Sequence, residues 1–128
     1  MIKYLKRWKT DDQEDLVTPT DETRIFELKY RRLLVGTLKL EDGIWSFQYS
    51  KEFKEQTTIK PLTDFPNVDK VYASEELYPF FVERIPSTKQ PKVQKVIREN
   101  NIDATNEADL LRYFGLHSIS NPFSLSPS

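Results

Sequence analysis

Between Arg24 and Tyr49 the chain forms three runs, in each of which one set of alternate positions is mainly apolar. Phe26, Leu28 and Tyr30 share one side of an extended segment. In the next run Leu34, Gly36, Leu38 and Leu40 alternate with Leu33, Val35, Thr37 and Lys39, and Trp45, Phe47 and Tyr49 share one side of a third. A period of two belongs to strands with one face in a core. Arg31-Arg32 and Asp42-Gly43 separate the runs. An Asp-Gly pair suits a type I′ turn, whose central residues both take positive φ. Three strands joined by tight turns predict an antiparallel meander. Gly36 inside a strand marks a bulge, a bend or a close approach.

Beyond Tyr49 the period changes. Residues 51–73 are mixed; Thr57-Thr58-Ile59 is a candidate fourth strand, and Pro61 and Pro66 make the following stretch irregular. Leu77, Phe80, Phe81 and Ile85 then follow a helical stripe. Pro79 is tolerated only in a first turn, so this helix starts near Leu77 to Pro79 and ends at Pro86. Glu75 and Glu76 suit its positive end. Pro91 opens a second helix with Val93, Val96 and Ile97 on one face. Asn106 and Asp109 form a capping pair for a third, with Leu110, Leu111 and Phe114 facing inward and Gly115 as its stop. Residues 121–128 read as a strand stub or a loose tail. The fold class is therefore α+β: a small antiparallel meander of three to five strands with about three short helices in the C-terminal half.

The beginning of the chain is different again. Ile2, Leu5 and Trp8 recur at intervals of three, and four basic residues precede the acidic run Asp11, Asp12, Glu14 and Asp15. Residues 1–22 are expected to be an N-terminal extension, read as a mobile terminus or else as a short element docked on the core or a partner, on a domain spanning 23–128.

Composition narrows the function. A chain of 128 residues suits one domain. With 38% hydrophobic and 12% aromatic residues it can bury a core. The 19 basic and 20 acidic residues give a net charge of -1, which argues against a nucleic-acid partner. No cysteine is present, so disulfides and thiolate metal sites are excluded. No apolar window is long enough for a signal peptide or a membrane span, and a cytoplasmic location is expected.

Catalytic chemistry finds little support. His117 is the single histidine and has no cysteine or second histidine for a metal site. Gly36, Gly43 and Gly115 cannot form a phosphate-binding loop. The expectation is a protein that is not an enzyme, has no cofactor or metal, and binds another protein.

Two stretches carry a family resemblance. Val35-Gly36-Thr37-Leu38 followed by Asp42-Gly43-Ile44-Trp45-Ser46-Phe47-Gln48-Tyr49 resembles the opening of the HipA N-terminal subdomain, with its V-G-x-L and F-x-Y strands. Leu77-Tyr78-Pro79-Phe80-Phe81-Val82-Glu83-Arg84-Ile85-Pro86 resembles that family's P-F-F helix and its Leu/Ile-Pro ending. Leu110 to Gly115 and Asn121-Pro122-Phe123 look like its closing helix and strand. The family's Leu-Pro-Glu-Gly is replaced here by Ile85-Pro86-Ser87-Thr88.

HipA-type proteins are bacterial serine/threonine kinases of toxin–antitoxin systems, in which this subdomain is fused to the kinase body. A stand-alone copy is similar to the HipS component of tripartite HipB–HipS–HipT systems. The resemblance implies an antitoxin that binds and neutralises a HipT/HipA-like kinase, with a HipB-like DNA-binding protein as a further partner in a larger complex. The alternative is an auxiliary subunit that activates or targets such a kinase, or bridges it to the repressor. Phe65, in a polar loop between two prolines, reads either as folded back onto the core or as an exposed contact; the preferred candidate contacts are Tyr78 and Arg84, which lie off the apolar stripe, together with Phe65, all three then expected off the core, and after them Trp45, Phe80 and Phe81.

Overall fold

The computed structural model describes residues 15–128. The Ile2/Leu5/Trp8 stripe and the acidic residues Asp11, Asp12 and Glu14 lie outside the described residues. The elements are β1 (Arg24–Tyr30), β2 (Leu33–Glu41), β3 (Ile44–Tyr49), α1 (Lys51–Lys54), β4 (Tyr72–Ser74), α2 (Pro79–Val82), α3 (Pro91–Glu99), α4 (Glu107–Phe114) and β5 (Ser124–Pro127). The strands form one antiparallel sheet in the order β4-β3-β2-β1-β5. The α+β expectation holds, with α1 as an added helix.

Local chemistry sets the meander. Asp42 and Gly43 take φ of 53° and 77°, as the turn between β2 and β3 requires. Gly36 is both a bulge neighbour and a close approach. Leu28 pairs with Gly36 while Lys29 pairs with Leu34, so Val35 is the extra residue. The bulge lets both Val35 and Gly36 face inward, against the alternation read from sequence. A Cβ on Gly36 would stand 2.6 Å from the Phe47 ring, which leaves room only for glycine.

One sheet face carries the core: Phe26, Leu28, Leu38, Leu40, Trp45, Phe47 and Tyr49 are buried. Fully burying such side chains stabilises by roughly 1.5–3 kcal/mol each. Leu77, Phe81, Ile85, Leu110 and Leu111 cover them from the helical layer. Pro79 opens α2 at N1, as its fixed φ favours. The Asn106 side chain caps α4 by accepting from the Asp109 N–H at 3.0 Å.

The fourth strand is Tyr72–Ser74 rather than Thr57-Thr58-Ile59. The Gln56 side chain accepts from the Ile59 N–H and donates to the Ile59 carbonyl, both at 2.8 Å. That pairing satisfies Ile59 locally and leaves it no need of a strand partner.

The tail is a strand, and it closes an edge. Ser128 N–H donates to the Ile25 carbonyl, so by antiparallel alternation the Leu125 and Pro127 nitrogens point away from β1. The Leu125 N–H is taken by the Leu116 carbonyl at 2.9 Å, and proline has no N–H. The outer rim of β5 therefore offers no amide donor at either position.

Residues 15–22, the described part of the N-terminal segment, are docked on the domain. Leu16 is buried, and Val17 exchanges backbone hydrogen bonds with Thr105 and Glu107. Thr18 Oγ1 accepts from the Trp45 indole N–H at 3.1 Å and donates to Glu107 Oε1 at 2.7 Å.

Candidate functional site

Burial sorts the candidate contacts. Phe65 sits in an irregular loop between two prolines, yet it is 0% exposed. Its ring stacks on Phe47 with centroids 4.4 Å apart, and the edges of Tyr72 and Tyr78 meet it at 5.1 and 4.8 Å. The Tyr49 hydroxyl pins the loop by donating to the Phe65 carbonyl at 2.6 Å and accepting from the Leu62 N–H at 2.8 Å. The expectation that Phe65 lies off the core is therefore corrected. A ring that can reach the sheet gains more by leaving water than by staying in the loop.

Arg84 is corrected in the same way: it is 3% exposed. Its Nη1 donates to the Gly115 and Leu116 carbonyls, and its Nη2 to Asn121 Oδ1 and the Phe123 carbonyl, at 2.8–3.3 Å. A guanidinium can be buried when both of its terminal nitrogens are paired in this way, although the buried Nε finds no hydrogen-bond partner among the described residues. Burial lowers its pKa from the usual arginine range, with Glu83 acting in the opposite direction. Arg84 thus ties the end of α2 to the segment between α4 and β5.

Trp45 and Phe81 are wholly buried. Tyr78 and Phe80 are half-buried, so they are the two candidates with surface to offer. The Tyr78 hydroxyl donates to the Trp45 carbonyl at 3.3 Å, and burial pushes its pKa up to about 12.

Phe80 opens onto a groove of about 440 Å³ between the 60–64 loop and α2. It is lined by Pro61, Leu62, Phe80 and Phe123 together with the exposed charged residues Lys60, Asp64 and Glu83. Phe80 is held from several sides. Its ring meets Phe81 and Phe123 at 5.1 and 5.9 Å, and the Arg84 guanidinium lies 5.5 Å from its centroid. Its N–H donates to Asp64 Oδ2 at 3.0 Å, which fixes the loop against the first turn of α2. Glu83 Oε2 accepts from the Asn121 amide at 3.1 Å.

An aromatic lining with mixed charges suits an inserted side chain of another protein. Sequence reasoning named Phe80 but missed Lys60, Asp64 and Glu83. Asp64 and Phe80 are 16 positions apart, so no local period links them. Among the described residues no group of three or more His, Cys, Asp or Glu is placed to hold a metal, and His117 is exposed beyond α4. No helix among them is long and apolar enough to cross a membrane.

The HipA N-terminal domain profile matches residues 27–119. No curated protein matches the chain. The matched stretch runs from β1 past α4 and takes in the loop and helix that form the groove. The chain therefore belongs to the HipA N-terminal domain family.

Proposed function

We propose that this protein is a non-catalytic antitoxin that binds a HipT/HipA-like serine/threonine kinase and restrains it, in a system that also holds a HipB-like DNA-binding protein. The observation that carries the reading is the family match over residues 27–119, which supports a HipA-related toxin–antitoxin context. The groove at Phe80 supports a protein partner, because a half-buried aromatic beside exposed charged residues is the usual make-up of an interface anchor.

Co-expression tests it. The protein should restore growth that its cognate kinase arrests, and the two should co-purify as a stable complex. A kinase that stays toxic inside a stoichiometric complex would replace the antitoxin reading with that of an auxiliary subunit. No complex would remove both. The purified protein alone should show no ATP turnover.

A further inference from the structure

The two rims of the sheet are unequal. That of β5 offers no amide donor at Leu125 or Pro127. That of β4 does. The two-residue turn Asp42-Gly43 makes Glu41 and Ile44 a hydrogen-bonded pair, so by alternation Ile44, Ser46 and Gln48 turn their backbone groups toward β2. The Ser50 N–H, which donates to the Val35 carbonyl at 2.9 Å, continues that series. Trp45 and Phe47 therefore turn theirs toward β4, where they meet Ser74 and Tyr72. Ala73 lies between those two, so its N–H and C=O point out of the sheet edge. Among the described residues nothing takes that N–H.

Val71, Ala73 and Glu75 are all exposed along this rim. A proline or a charge at the outward position would block it, and alanine is neither. The sequence around Ala73 suits a second copy of the chain. Two β4 strands paired antiparallel about Ala73 place that residue on the two-fold axis, where it and its mate exchange both of their backbone bonds. Val71 then stands opposite the partner's Glu75 and Lys70 opposite the partner's Glu76, so no like charges face each other.

We propose that β4 is a self-association edge: two copies of this chain pair antiparallel about Ala73, joining their five-stranded sheets into one, and the closed rim of β5 ends the assembly at a dimer. β4 has only 3 residues, so the dimer is weak and depends on concentration. The proposal is independent of the kinase-binding reading, since β4 shares no residue with the Phe80 groove.

Sedimentation equilibrium of the full chain tests it, from about 10 μM to about 1 mM, the range in which so short an interface associates. The average mass should rise from that of one chain toward that of two and go no further. Ala73→Pro removes the outward N–H, which β3 does not use. That variant should keep its circular dichroism spectrum and its melting temperature while its mass stays that of one chain. Ala73→Lys and Ala73→Glu each set like charges against each other on the axis, and each should weaken association several-fold. Mixing the two should restore it, and since a fold defect cannot produce that recovery, the mixture decides the matter even where Ala73→Pro unfolds. Four results would overturn the proposal: a parent that keeps the mass of one chain throughout, an Ala73→Pro that associates like the parent, a mixture no tighter than its components, or masses that climb past two chains.

Discussion

The Tyr49 hydroxyl donates to the Phe65 carbonyl across 2.6 Å, linking the end of β3 to a loop 16 positions away. The same oxygen accepts from the Leu62 N–H, so one phenol satisfies two buried backbone groups. Tyr49→Phe leaves both without a partner while barely changing volume. It should lower stability by about 1–3 kcal/mol. Urea unfolding monitored by tryptophan fluorescence would show this as a lower midpoint with an unchanged slope. An unchanged midpoint would mean the loop is held by ring packing alone.

Two phenols give the protein an alkaline limit. Burial pushes Tyr49 and Tyr78 from 10.0 up to about 12. Each binds its proton more tightly folded than unfolded. The stability they supply is complete below about pH 10 and is lost as pH rises from 10 to 12. Thermal melts across that window should decline, and Tyr49→Phe should decline less steeply than the parent. Parallel curves for the two proteins would reject the assignment to Tyr49.

Arg84 is expected to matter for folding rather than for direct contact. Arg84→Ala strips donors from three carbonyls and the Asn121 side chain, at a cost of about 3 kcal/mol or more. Arg84→Lys keeps the charge but not the fork and should recover only part of that loss. Hydrogen exchange should report the damage first in residues 116–127. Full protection there in Arg84→Ala would contradict the tether.

The neighbouring phenylalanines of α2 should separate binding from stability. Phe81 is wholly buried, so Phe81→Ala should cost about 3–5 kcal/mol. Phe80 is half-buried in the groove, and Phe80→Ala should cost less while weakening a kinase complex by about 1–2 kcal/mol, roughly tenfold in affinity. Circular dichroism and titration calorimetry read together decide it. Equal losses of stability in the two variants would remove the groove from consideration.

What the sequence made legible was local. Asp42-Gly43, Pro79 and the Asn106–Asp109 cap each act within a few residues, and each stands where its chemistry placed it. The period of two located the three central strands but missed the extra residue at Val35, because a bulge depends on the partner strand. Phe65 and Arg84 were misread as lying off the core. Their partners come from distant stretches: Phe47 and Tyr78 for the ring, Gly115 to Phe123 for the guanidinium. The charged lining of the groove was hidden for the same reason, since Lys60 and Glu83 come to one groove only once the loop has folded back.

The sheet order also sets a schedule for synthesis. β1 gains β2 as soon as the first hairpin is made, whereas its other edge waits for β5, which is translated after the other four strands of the sheet. Until then a nascent chain carries an unpaired rim beside Phe26 and Leu28, the kind of surface on which neighbouring chains zip together. Translation speed and chaperone access, rather than the stability of the finished fold, should therefore govern how much of this protein reaches the cell in usable form.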